Sequence, residues 1–394
     1  MKKSIFTALV SIIVCTLVFA GCSSQEPESK TLKIGYLLGL TGPGSQMFLE
    51  QKEVVMLAEE WLNNKGGITV NGEKYKIQVV FEDDKNTPAD CITAATRLIS
   101  KEGIKFIVGV AVPDQVAAVA SVTEKNGVLY ASSGIDMMHP EWKLQFVMKY
   151  AWTSPVPGLY DTMLQLYPEV KNVGYIVEDE GGARAIAGVA QKIAKSRGLN
   201  TLEPQFHPWE AKEYAPQWNV IMSQKPDAVD IGLKMPDANA TCIKQGRQAG
   251  FTGPIISTVS ADPTSQLNMI GKEYATDFFL PGFDPYGEHV TPMIKEVVNT
   301  WGKNHTNLIT QDGISGWDTL WVMVQVIEKA QSFDPEVVAK TWENLDTLET
   351  TRGMAKMGGG ETFGINHMVF APAPITRLQN GQIVFIKWID TWVP

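Results

Sequence analysis

Lys33-Ile34-Gly35-Tyr36-Leu37-Leu38-Gly39-Leu40-Thr41-Gly42-Pro43-Gly44 decides the fold of this chain. The short apolar run 33–38, stopped by a glycine-rich turn, reads as a buried strand. Val54, Leu57, Ala58, Trp61 and Leu62 then mark one face of a helix that ends at Gly66-Gly67. Asn71-Gly72 turns the chain into a strand over 76–82. Thr87-Pro88-Ala89-Asp90 next supplies a capping hydroxyl, a proline at the first helical position and an acid for the dipole. The helix so opened buries Ile92, Ala95, Leu98 and Ile99. Strands at 105–110 and 128–132 flank a further helix near 115–125. Strict alternation of this kind predicts an α/β fold with a parallel sheet covered on both faces.

After the segment 146–157 the alternation starts again. Strands are expected at 172–177, 228–233 and 254–258, with helices near 183–196 and 239–249. A strand at 277–283 leads to helical stretches at 289–303, 313–329 and 335–345. The end differs: 375–378 and 382–389 alternate around Asn380-Gly381, a hairpin signal. A helix-rich return followed by a late hairpin suggests a chain that crosses between two lobes more than once.

The amino end reads as an export signal. Lys2 and Lys3 precede an apolar run over 5–20, too short and too one-sidedly flanked to span a membrane stably. Phe19-Ala20-Gly21-Cys22 resembles the bacterial lipobox, which makes 1–21 a signal peptide, Cys22 a lipidation site and 22–31, rich in Ser, Glu and Pro, a tether. An ordinary signal peptide with an incidental cysteine is the alternative. Removing 1–21 takes away two lysines and no acid, so the net charge falls two below the −9 of the whole chain. Nucleic acid is therefore excluded as a partner, and anionic lipid is a poor one. Later segments lack the run of about 18 apolar residues that a spanning helix needs. The length of 394 residues suits two domains. An exported cysteine pair invites a disulfide, but Cys91 and Cys242 fall in different lobes and are expected as buried free thiols.

An ordered set of motifs resembles the type I periplasmic binding proteins of ABC importers, specifically the leucine/branched-chain amino acid binding group. It comprises Lys33-Ile34-Gly35, Leu40-Thr41-Gly42-Pro43-Gly44, Trp61-Leu62-Asn63-Asn64-Lys65-Gly66-Gly67-Ile68 and Glu82-Asp83-Asp84. Phe106-Ile107-Val108-Gly109 and Gln245-Gly246-Arg247-Gln248-Ala249-Gly250-Phe251 complete it. The resemblance implies two Rossmann-like lobes around a central cleft, joined by three crossovers near Ala151, Pro281 and His367. One lobe would take 32–151 and about 282–365, the other 152–281 and about 366–394. It further implies a monomeric, extracytoplasmic, lipid-anchored protein that captures a small organic molecule by hinge closure and delivers it to a membrane permease, with no cofactor and no metal.

Candidate ligand contacts lie on loops that leave the strands. Thr41 sits in the loop leading to a helix N-terminus, and the resemblance puts Met47 or Phe48 where relatives stack an aromatic ring on the ligand. In relatives the loop at Val110 and Ala111 offers hydroxyl and backbone groups to a carboxylate, yet Val110-Ala111-Val112 carries no hydroxyl. Ser132, Ser133, Gly134 and Asp136 match the region that receives an ammonium group in amino acid binders; Asp136 alternatively caps a helix. From the second lobe come Trp152, Glu180, Lys234, Met235 and Ser260. Lys234 offsets a ligand carboxylate, or is a lysine at a strand end facing water. These features point to a branched-chain amino acid or an apolar or aromatic carboxylate.

An exported α/β enzyme and a ligand-sensing receptor component are the competing classes. Gly313-Ile314-Ser315-Gly316 lacks the spacing of a nucleophile elbow, and histidines 139, 207, 289, 305 and 367 form no metal motif. The runs Glu82-Asp83-Asp84 and Glu178-Asp179-Glu180 are expected as solvated strand ends or acids on a cleft rim.

Overall fold

The computed structural model describes residues 30–42, 45–110, 113–133, 138–148, 154–179, 181–208, 211–232, 236–259 and 261–391, apart from the side chains of 46, 47, 113, 182 and 362. The first stretch gives β1 (Lys30–Leu38), α1 (Ser45–Asn64), β2 (Ile68–Val70), β3 (Glu73–Asp83), α2 (Pro88–Glu102), β4 (Phe106–Gly109), α3 (Pro113–Lys125), β5 (Leu129–Ser132) and β6 (Gln145–Val147). The second gives α4 (Val156–Leu166), β7 (Asn172–Glu178), α5 (Gly181–Ser196), β8 (Asn200–Thr201), β9 (Gln205–His207), α6 (Ala215–Ser223), β10 (Ala228–Gly232), α7 (Pro236–Gln248), β11 (Ile255–Ser257), α8 (Pro263–Ile270) and β12 (Phe278–Leu280). The third gives α9 (Pro292–Asn304), α10 (Gln311–Ala330), α11 (Pro335–Glu343), β13 (Leu348–Thr350), β14 (Gly353–Gly358), α12 (Gly360–Phe363), β15 (Met368–Phe370), β16 (Ala373–Gln379) and β17 (Gln382–Ile389).

Two separate sheets result, as the alternation predicts. The first runs in the order β13-β14-β15-β6-β5-β4-β1-β3-β2 and the second β17-β16-β12-β11-β10-β7-β8, with β9 on β7. Strands β3, β1, β4, β5 and β6 are mutually parallel, as are β7, β10, β11 and β12. The chain passes between the sheets three times, after Val147, after Leu280 and between Phe370 and Ala373. The third passage follows His367, whose own carbonyl accepts from Val147 N–H at 2.9 Å and so belongs to the first sheet's ladder.

Each lobe buries apolar residues on both faces of its sheet. In the first, Val54, Leu57, Trp317 and Trp342 line one cluster, and Leu98, Val116 and Tyr130 another. In the second, Trp218 and Ile243 oppose Tyr160 and Ala190 across the sheet. Sequence signals for local structure are realised: Thr87 caps α2 by accepting from Asp90 N–H at 3.2 Å. Asn71-Gly72 and Asn380-Gly381 take positive φ, at 51° and 78° and at 50° and 71°, the pattern of a type I′ hairpin. Cys91 and Cys242 are free and buried, one in each lobe, and burial pushes the Cys91 thiol up to about 12. Strands β13 to β15 had no forecast, because three- to six-residue segments hold too little periodicity to read.

The motif at 245–251 turns out to be architectural. A Cβ on Gly246 would lie 2.3 Å from the Trp218 ring, so this helix packs on the indole only through a glycine. Arg247 donates to the carbonyls of Phe251, Gly253 and Thr276 at 2.7–2.8 Å and closes the loop that follows. We expect Gly246→Ala to lower stability by about 1–3 kcal/mol through overpacking. Urea unfolding checks this, and an unchanged midpoint would contradict the packing.

Candidate functional site

A parallel strand must be followed by a crossover, so the carboxyl ends of β1, β3, β4, β7, β10 and β11 each deliver a loop and then a helix N-terminus to the same edge. All three passages between the lobes leave or enter at those edges: β6 and β12 end there, and β16, antiparallel to β12, begins there. The two carboxyl edges therefore face one another across a single seam. The N-termini of α1 and α3 from one lobe and α5, α7 and α8 from the other open toward it, and their free N–H groups favour an acceptor or anion.

On the first lobe the loop after β1 is fixed by Asp83. Its carboxylate accepts from Leu40 N–H, Thr41 N–H and Lys85 N–H at 2.9, 3.2 and 2.9 Å and from the Thr41 hydroxyl at 2.5 Å. These donors hold its pKa below the usual carboxylate range against partial burial. Thr41 thus spends its proton inside the loop and retains only acceptor capacity. Phe48 lies beneath that loop, 8% exposed, within 3.3 Å of where a Cβ on Gly39 would stand.

The end of β4 is kinked. Gly109 has φ 112°, and a Cβ there would be 2.1 Å from the Leu37 carbonyl oxygen. Val110 follows at φ 61°, a left-handed conformation that costs a β-branched residue about 1–3 kcal/mol. Hydrogen bonds hold it: Val110 N–H donates to Leu37 O at 3.3 Å, while Val110 O accepts from Ser133 N–H at 3.0 Å and Ser133 Oγ at 3.2 Å. Tyr130 Oη donates to Gly109 O at 3.2 Å. Ser132 is fully buried, its hydroxyl donating to Phe146 O at 3.3 Å. Val110 and Ser133 thus meet at one strained corner, with Ser132 behind them. The side chain of Met47 lies outside the described residues, as do Ala111, Gly134, Asp136, Trp152, Glu180, Lys234, Met235, Ser260 and Cys22.

The acidic strand ends are not simply solvated, which corrects the expectation for Asp84 and Glu178. Both are buried. Burial pushes Asp84 up to about 6, helped by Asp83 and Asp90 and opposed by Asn86 N–H. Asp179 alone of the described acids in its run is exposed, paired with Arg184 at 2.5 Å. No group of metal-ligating side chains occurs among the described residues.

Sequence reasoning missed Asp230. It is 2% exposed in the middle of β10, where Tyr160 of α4 donates to it at 2.7 Å and Thr258, beyond β11, also hydrogen-bonds to it. Three segments that frame the second lobe's edge are tied to one carboxyl. Burial pushes it up to about 7, against the pull of those hydrogen bonds. The available signal was an acid inside the apolar strand Ala228–Gly232. His207 was missed too: Nδ1 donates to Pro208 O at 2.9 Å, which leaves Nε2 bare and buried.

The family model described as periplasmic binding protein matches residues 31–382. The leucine-, isoleucine-, valine-, threonine- and alanine-binding protein of Pseudomonas aeruginosa is 24% identical over 90% of this chain and 92% of its own. A branched-chain amino acid transporter substrate binding protein from Streptococcus pneumoniae, solved with isoleucine, superposes with TM-score 0.75 at 15% identity, over 92% of this chain and 100% of that one. A solute binding protein from Rhodopseudomonas palustris, solved with 3,4-dihydroxybenzoic acid, gives TM-score 0.74 at 17% identity, over 92% and 98%.

Asp230 generates a pH test. Its folded-state pKa of about 7 lies above the ordinary 3.8, so the folded chain holds a proton that the unfolded chain releases. The resulting stability is fully present below 3.8 and is lost as pH rises through about 7. Urea unfolding at pH 5 and pH 8 should show the parent less stable at pH 8. Asp230→Asn should lessen that difference, and an undiminished difference would assign the proton elsewhere.

Proposed function

We infer the function from the family: this chain belongs to the periplasmic binding proteins, and it captures a small organic molecule between its lobes as the substrate-binding component of an ABC-type transporter. The observation that carries the reading is the facing pair of carboxyl edges, with helix N-termini from both lobes opening on one seam. A ligand touching both edges favours the closed arrangement by its differential contacts alone. An affinity near 1 μM corresponds to about 8 kcal/mol, within reach of one buried ring and a few charge-assisted hydrogen bonds. Among the described residues no helix is long and apolar enough to cross a membrane.

The finer reading is a branched-chain amino acid or an apolar or aromatic carboxylate, delivered to a permease by a protein held outside the cytoplasm through a lipid on Cys22. Relatives named for aliphatic amino acids, together with the relative solved with an aromatic acid, support that pair of classes. The loop Val110-Ala111-Val112, bare of hydroxyls, favours the second class. In this reading the helix ends and Lys234 receive the carboxylate, Trp152 packs the apolar body, and Ser133 with the Val110 corner shapes the first lobe's wall.

Thermal denaturation with leucine, isoleucine, valine, benzoate and 3,4-dihydroxybenzoate tests this. One class should raise the Tm by several degrees at 100 times its Kd, where binding adds about 2.7 kcal/mol, and no product should form. Turnover of any of them would replace capture with catalysis. Trp152→Ala and Lys234→Ala should each weaken binding about tenfold, or about 1.4 kcal/mol, at unchanged Tm of the free protein. Unchanged affinity in both removes this site. Mass spectrometry of the amino terminus should find Cys22 acylated.

A further inference from the structure

Asp284-Pro285-Tyr286-Gly287 turns the chain just after β12, on its second passage between the lobes. Asp284 builds the turn: Oδ1 accepts from Tyr286 N–H at 2.9 Å and its carbonyl accepts from Gly287 N–H at 3.0 Å. The segment is pinned on both sides. Gln311 of α10 accepts from Phe283 N–H at 3.1 Å, and Thr376 of β16 donates to Gly282 O at 2.5 Å. Between the turn and the terminal hairpin a cavity remains. Phe283, Asp284, Glu288 and His289 line one side, and Ile383 and Phe385, on one face of β17, the other. Its volume of about 230 Å³ is below the roughly 300–1,000 Å³ of a drug-sized site, so its occupant is small. No candidate contact of the seam lines it.

The rings of the wall hold one another in place. His289 stacks on Phe385 with centroids 5.0 Å apart and planes 20° from parallel, while Phe283 and Phe385 each tilt against Trp388 at 5.9 Å. Trp388 Nε1 donates to His289 O at 3.0 Å and ties the segment to β17. The charge in the cavity has one sign. Neither Asp284 nor the exposed Glu288 forms an ion pair among the described residues, and no lysine or arginine lines the space. Ring faces carry negative potential as well, so carboxylates and aromatic faces together favour a cation with an apolar body. The carboxylate read for the seam is disfavoured here by like charge.

We propose that this cavity is a second binding site, for a small organic cation: a protonated amine or amidine whose apolar body lies against Phe283 and Phe385 and whose charge faces Asp284 and Glu288. The passing segment leads into the first lobe at α9, and the hairpin belongs to the second sheet, so the occupant touches both sides of the joint. The site stands apart from the molecule captured at the seam and does not depend on the function proposed above.

Isothermal titration calorimetry of the full chain at neutral pH compares benzylamine, a cation, with benzyl alcohol, its neutral counterpart. Benzylamine should saturate one site with a Kd of about 1 mM or below, an affinity its few heavy atoms can supply. Benzyl alcohol should bind about tenfold more weakly, having the ring without the charge. Asp284→Asn combined with Glu288→Gln should weaken benzylamine about tenfold and leave benzyl alcohol unchanged. Asparagine keeps the acceptor for Tyr286 N–H, so the turn survives, and an unchanged Tm checks that. Glu288→Gln alone, at an exposed side chain, should shift affinity in the same direction and replaces the double variant if that one unfolds. No saturation by benzylamine, equal affinity for benzyl alcohol, or undiminished benzylamine binding in these variants each overturns the site. A chain that takes benzylamine here but none of the compounds tested at the seam would retire the function above and leave this site standing.

Discussion

The parallel ladder is the constraint from which the rest follows. Strands such as β1, β3 and β4 pair in one direction, and a chain cannot return to start a parallel neighbour without a crossover. Most of the crossovers here are helices, so the carboxyl ends of β1, β3, β4, β7, β10 and β11 are each followed by a loop and a positive helix end on the same edge of the sheet. Two such sheets, joined only at those edges, have one place where loops from both can meet. The seam is thus a product of chain direction before any side chain is considered.

Packing then distinguishes the lobe interiors from their junction. Each lobe has apolar clusters on both faces of its sheet, built from residues such as Trp317, Trp342, Trp218 and Tyr160 that are fully buried. Among the described residues, polar, aromatic and apolar contacts bridge the lobes. Trp388 Nε1 donates to His289 O at 3.0 Å, its ring tilts against Phe283 at 5.9 Å, and the His289 ring stacks on Phe385 at 5.0 Å. A buried cluster of Val147, Met368 and Phe370 with Ala373 of β16 adds apolar contact where the chain passes between the lobes.

At the seam the acids do structural work in three ways. Asp83 staples the loop of β1, Asp230 ties α4 to the loop after β11, and Asp262 caps α8 by accepting from Ser265 N–H. Each is held by N–H or hydroxyl donors instead of a lysine or arginine.

The alternation of apolar runs with helix faces, the cap at Thr87 and the glycine turns at 71–72 and 380–381 are local properties, so the amino-acid order alone determined the α/β class, two lobes and a hairpin at the end. The ordered motifs from Lys33 to Phe251 added the family. Tertiary structure decided what those local signals cannot contain. Gly246 matters because the Trp218 ring arrives from another helix, Val110 is left-handed because Leu37 and Ser133 hold both of its polar groups, and Asp230 is buried because Tyr160 and Thr258 converge on it. Such roles depend on partners tens of residues away or more, and hydrogen bonding and burial are set by neighbours in space, which a periodicity along the chain does not record.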